Sequence, residues 1–111
     1  MLDVKTKSQD SISIIEIDGE VDLYSSPALR KALLEMTKAQ NKAILVDLAR
    51  VKYMDSSGVA TLVEALQQVG KYDGKLKLAN LRDGVKNVFE LSRLDKVFDI
   101  YESIEDAKKS F

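Results

Sequence analysis

Strand-like segments that alternate with amphipathic helical segments predict an α/β fold. The expected form is a mixed sheet of about four or five strands with about four helices packed mainly on one side. Three observations carry this expectation. The apolar run Ala43-Ile44-Leu45-Val46, continuing through Asp47 to Leu48, reads as a strand buried on both faces, as parallel strands usually are. From Val59 onward Leu62, Val63, Leu66 and Val69 recur at the spacing of one helical face, while Thr61, Glu64, Gln67 and Gln68 fall elsewhere. At the start of the chain, strand-like runs separated only by a turn predict an antiparallel hairpin.

Leu2, Val4 and Thr6 alternate with Asp3, Lys5 and Lys7, the period of a strand with one wet face. Gln9-Asp10 supplies a turn, and Ile12, Ile14, Ile15 and Ile17 form a β-branched second strand. Gly19 marks a bulge or bend before Glu20-Val21-Asp22. Ser26 followed by Pro27 starts a helix, because proline at the first helical position gives up no amide bond. Its apolar face is Leu29, Ala32, Leu33 and Met36, and it is expected to end near Asn41, a residue that tolerates the left-handed conformation.

After the central strand and its helix, Tyr72-Asp73-Gly74 reads as a turn and Lys75 to Ala79 as the next strand. Asp83 suits the cap of a third helix with Val85, Val88 and Phe89 inward, and Leu91 and Leu94 extend that apolar contact. Val97, Phe98 and Ile100 fit a short final strand or an irregular segment. Ser103-Ile104-Glu105-Asp106 resembles a capping box, with aspartate in place of glutamate, and opens a short last helix through Ala107.

The 111 residues fit one domain, residues 1–111, with a single hydrophobic core. Hydrophobic residues make up 45% and charged residues 32%, the balance of a globular chain rather than a disordered one. With a net charge of -1 and no dense Lys/Arg stripe, direct nucleic-acid or membrane binding lacks its usual electrostatic source. Histidine and cysteine are both absent, which removes a Ser-His-Asp triad, a thiolate nucleophile and a Cys/His zinc site. No metal and no cofactor is expected, and the acidic residues are scattered rather than grouped at ligand spacing. Neither a leader nor a membrane-spanning run is evident at the start, so the cytoplasm is the expected compartment.

Tyr53-Met54-Asp55-Ser56-Ser57-Gly58 joins the most apolar strand to the best amphipathic helix. Asp55, Ser56 and Ser57 fall at the helix N-terminus, where a side-chain oxygen accepts a bond from an unpaired amide. Gly58 removes a side chain where the first turn meets its surroundings. Ordinary helix capping accounts for the pattern. So does a functional reading, in which two hydroxyls and a carboxylate at the positive end of a helix dipole hold an anion or carry a phosphate.

Gly19-Glu20-Val21-Asp22, the strand ending at Leu48, and Tyr53-Met54-Asp55-Ser56-Ser57-Gly58 together resemble the STAS domain family. More narrowly, they resemble its bacterial anti-sigma factor antagonists, small cytoplasmic proteins built from a lone STAS domain. The likeness covers essentially the whole chain. Val59-Ala60 stands where the family usually has leucine and a small residue, and Val21 where leucine is commoner; both keep the apolar character.

The resemblance implies that Ser56, directly after the aspartate, is the phosphoacceptor, with Asp22 in a loop close to it. It implies partner switching: the unmodified protein binds a kinase-type anti-sigma factor and frees a sigma factor, until that partner phosphorylates Ser56 with ATP. Asp22, Asp55, Ser56, Ser57 and Gly58 would then be the partner-binding residues, and a serine phosphatase a further partner. Such a chain is not an enzyme. Two other readings are a STAS subunit of a stress-sensing complex or transporter regulator, and a small hydrolase or phosphotransferase using Ser57 or Asp55.

Overall fold

Asp10 and Ser11 both adopt positive φ, 53° and 65°, so a tight two-residue turn joins β1 (Leu2–Gln9) to β2 (Ile12–Val21) with Gln9 opposite Ile12. Consecutive left-handed residues match the right-handed twist of a hairpin. The antiparallel pair forms as expected, with its turn one residue later than Gln9-Asp10. The computed structural model describes residues 2–111. Beyond the hairpin the chain continues through α1 (Ser26–Lys38), β3 (Ala43–Met54), α2 (Ser56–Gly70), β4 (Lys75–Ala79), α3 (Asp83–Leu91), β5 (Asp99–Tyr101) and α4 (Ile104–Lys109).

The five strands lie in the order β1-β2-β3-β4-β5, with β2 through β5 mutually parallel. Crossovers between parallel strands are right-handed, and a strand order that always advances in one direction puts every crossover helix on the same face. α1, α2 and α3 accordingly pack on one side over Ile15, Ile17, Ile44, Val46, Leu48, Leu76 and Leu78. The last helix, α4, lies on the opposite face against Ile12, Ile14, Leu45 and Ala79. There Lys77, itself buried, donates to the Ser110 carbonyl (3.1 Å) and the Tyr101 hydroxyl (3.4 Å), and lies over the Tyr101 and Phe111 rings. The Ser103 cap forms, its hydroxyl accepting from the Asp106 amide at 3.1 Å.

β3 runs six residues past the expected end at Leu48, through Ala49 to Met54. Its inward positions are Ile44, Val46 and Leu48, then Val51, then Met54, so the period of two gives way to steps of three. Register shifts explain this: Glu16 and Asp18 face Asp47 and Arg50, and Gly19 and Glu20 face Val51 and Tyr53. Each shift places an extra residue on β3, and Gly19 accommodates the second with φ 125°.

Other departures are local. Gln40 (φ 55°), not Asn41, takes the left-handed position after α1. Arg82 occupies the cap position of α3 without a side-chain bond, and Asp83 sits in the first turn, where its charge suits the dipole. Leu91 is 87% exposed, because α3 ends there and the chain turns away at Arg93 in the left-handed region. Leu94 remains half-buried in a 3-10 turn, and β5 starts only at Asp99, leaving Val97 exposed and Phe98 in the core against Phe89.

The buried side of α2 is rotated from the expected face. Leu62, Ala65 and Val69 are fully enclosed, Val63 and Leu66 are half-buried, and Thr61 is buried, lining a groove with Ser26, Arg30 and Leu34 of α1. The helix must satisfy two neighbours, the sheet and α1, and Arg30 grips Glu64 with two bonds of 2.7 and 2.9 Å across that seam. Leu62→Ala is therefore expected to cost about 2–5 kcal/mol and Leu66→Ala clearly less. Urea unfolding of the two variants checks this, and equal midpoints would mean that the buried face is wrongly placed.

Candidate functional site

The ends of β2 and β3 are tied together where α2 begins: the Asp55 amide donates to the Val21 carbonyl at 3.1 Å, one step beyond the Val21–Met54 pairing. Asp55 is extended (φ -101°, ψ -172°) and caps the helix, its Oδ1 accepting from the Ser57 amide at 2.9 Å and from the Ser57 hydroxyl at 2.5 Å. Its carbonyl accepts from Gly58 and Val59. The carboxyl is held below the usual aspartate range first by the Ser57 hydroxyl, with burial the next largest influence and opposed to it. The amides of Ser57, Gly58 and Leu23 add to the lowering.

The cap makes the adjacent serines unequal. The hydroxyl of Ser57, half-buried, is spent on Asp55, while Ser56 is exposed and its hydroxyl has no hydrogen-bond partner among the described residues. Gly58 is buried, and a Cβ there would stand 2.6 Å from Val21 Cγ1 and 2.7 Å from Met54 Cγ. The close approach of α2 to the ends of both strands thus requires the missing side chain.

The loop between β2 and α1 closes on Asp22. Its Oδ1 accepts from the Tyr24 and Ser25 amides (both 2.9 Å), its amide donates to Ser25 Oγ (2.9 Å), and its carbonyl accepts from Ser26 (2.8 Å). Ser25 Oγ donates in turn to the Glu20 carbonyl at 2.7 Å. Asp22 is therefore the capping residue of a tight turn. All the residues singled out in the sequence, Asp22, Asp55, Ser56, Ser57 and Gly58, belong to this one end of the sheet. Leu23, Tyr24 and Tyr53 stand at the same end, 69%, 91% and 51% exposed; their signal in the sequence is bulky apolar character inside and beside turns that usually carry polar residues.

Among the described residues no group of three or more Asp, Glu, His or Cys could hold a metal ion, and no helix is long and apolar enough to cross a membrane. What the end of the sheet offers is a solvated hydroxyl at the positive end of a 15-residue helix, beside a carboxylate fixed by that helix. Such a surface is chemically suited to carrying a modification or meeting a partner.

The chain is similar to known proteins along nearly its whole length. The STAS domain model matches residues 3–107, so the chain belongs to the STAS domain family. An anti-sigma-B factor antagonist from Staphylococcus aureus is 30% identical over 104 residues, covering 94% of this chain and 96% of that protein. Its counterpart from Bacillus subtilis is 33% identical over 99 residues, covering 89% and 90%. Among solved structures, an anti-sigma factor antagonist from Mycobacterium paratuberculosis superposes with a TM-score of 0.92 at 24% identity, over 99% of this chain and 93% of that one, a likeness of fold.

The cap has a pH signature. Because the Asp55 carboxyl is lowered in the folded state, its contribution is complete above the unfolded aspartate value of about 3.9 and is lost as pH falls through the folded value. Asp55→Ala should melt below the wild type by a constant margin at neutral pH, and the margin should shrink as pH falls below about 3.9. Melting temperatures across this range test it, and a margin that grows toward acid would contradict the assignment.

Proposed function

We propose that this protein is an anti-sigma factor antagonist: it binds a kinase-type anti-sigma factor in the cytoplasm, frees a sigma factor, and is switched off when that partner phosphorylates Ser56. The names of its relatives from Staphylococcus aureus and Bacillus subtilis support the antagonist reading over a STAS subunit of a stress-sensing complex or transporter regulator. The observation that carries the choice of residue is the inequality of the serines: Ser57 is engaged by Asp55 and Ser56 is solvated. The proposed step is transfer of the γ-phosphoryl of ATP. Ser56 Oγ forms the new O–P bond, the bond to the bridging oxygen breaks, ADP leaves, and a base of the kinase takes the hydroxyl proton. A serine phosphatase would reverse it by hydrolysis. The chain itself acts on no substrate in this reading.

Phosphate at Ser56 adds a charge of about -1.5 to -2 and three acceptor oxygens beside the Asp55 carboxylate. Within the chain the α2 dipole offsets part of that charge, so the fold is retained. At a closely packed partner surface the same group must be desolvated next to another anion, so the contact is lost. Gly58 and Asp55 serve the contact by fixing where Ser56 lies, and Asp22 by fixing the loop beside it.

In the presence of ATP, Ser56→Ala is expected to stay bound to the anti-sigma factor, while the wild type and Ser57→Ala are released. Ser57→Ala should also melt lower than wild type, because it removes a partner of Asp55. Size-exclusion chromatography of the mixtures with and without ATP reads both outcomes. ATP-driven release of Ser56→Ala would refute the assignment.

A further inference from the structure

We infer that Leu23, Tyr24 and Tyr53 form the apolar anchor by which the anti-sigma factor is held, a surface separate in role from the Ser56 switch that it adjoins. The inference rests on the proposed function, which names the occupant: the anti-sigma factor that must reach Ser56. A kinase must bring the γ-phosphoryl to within about 3–3.5 Å of Ser56 Oγ. A standard protein interface takes about 800 Å² from each partner, a disc of about 16 Å radius. The molecule measures only 29 × 25 × 22 Å, so a disc centred on Ser56 spans the end of the sheet formed by the β2–α1 loop and the last residues of β3. A partner that reaches Ser56 through a surface of that size is in a position to cover these side chains.

Their character suits an anchor. Large side chains that are 69%, 91% and 51% exposed bury substantial apolar area only when something docks on them. Leu23 and Tyr24 do not hang from a floppy loop: the Tyr24 amide is held by Asp22 Oδ1 at 2.9 Å, and the turn is closed again by Ser25 Oγ on the Glu20 carbonyl. Such preorganisation lowers the ordering cost of binding. Tyr53 comes from the other strand, opposite Glu20 in the β2–β3 register, where the second shift leaves its side chain in solvent while Met54 turns into the core. Glu20 and Asp22 flank the aromatic groups, so the complementary surface is an apolar hollow with a basic rim. Tyrosine is among the side chains that most often dominate interface energetics, with near-neutral contacts around them. In this arrangement the anchor supplies affinity whether or not Ser56 is modified, and the phosphate reverses the balance from the rim.

The test is titration calorimetry of the kinase-type anti-sigma factor of the same cell, without ATP, against the wild type, Leu23→Ser, Tyr24→Ser, Tyr53→Ser and the Leu23→Ser/Tyr24→Ser double variant. Leu91→Ser, 87% exposed on α3, is the control. The loop and Tyr53 variants should bind at least about tenfold more weakly with unchanged melting temperatures, and the control within about twofold of wild type. Tight wild-type binding with the loop and Tyr53 variants all within twofold of it would overturn the anchor and leave the proposed function standing. A wild type that does not bind at all would overturn the proposed function, and the anchor with it.

Discussion

The Asp55 carboxylate is the constraint from which the rest of the site follows. A helix that starts immediately after a buried strand presents unpaired amides in a crowded place, and something must satisfy them. Asp55 does so with the same oxygen that binds the Ser57 hydroxyl, so one residue caps the helix and engages one of the two serines. What remains is a single solvated hydroxyl at the positive end of α2. The distinction between the serines is thus a by-product of the capping that the fold needs.

That cap would be misplaced without the bulged pairing of β2 and β3. The two extra residues on β3 carry it past its regular register and deliver Met54 inward and Asp55 onto the Val21 carbonyl. Gly58 then lets α2 come down onto Val21 and Met54. The advancing strand order puts α1 beside α2 on the same face, so the β2–α1 loop, closed by Asp22, ends up at the same end of the sheet. A local cap, a pair of bulges and a right-handed topology together bring distant residues into one surface.

The sequence made much of this legible, and its failures have physical causes. Period-two and period-3.6 patterns identified the hairpin, the central strand, β4 and the crossover helices, because in those segments one face is in water or both are buried. The pattern was lost after Leu48 because each bulge advances the phase by one residue, leaving no period to detect. The face of α2 departs from the helical period at Thr61 and Leu66 because a helix packed against both a sheet and another helix buries small and polar residues on the second contact. Leu91 does not extend the apolar contact of α3 into the following turn, because the backbone turns away at Arg93. Asp55, Ser56, Ser57 and Gly58 stood out through capping chemistry, but propensity cannot rank neighbouring serines; only the side-chain bond from Ser57 does. Leu23, Tyr24 and Tyr53 carry no periodic signal, because an apolar residue in or beside a turn is distinguished only by its exposure.

The central claim is that the cap leaves Ser56, and not Ser57, free to be modified. It is tested most directly by incubating the wild-type protein with ATP and the kinase-type anti-sigma factor, then locating the phosphate by fragmentation mass spectrometry of the peptide containing both serines. The account predicts one phosphate, on Ser56. A phosphate on Ser57 would contradict it, since that hydroxyl would have to leave Asp55.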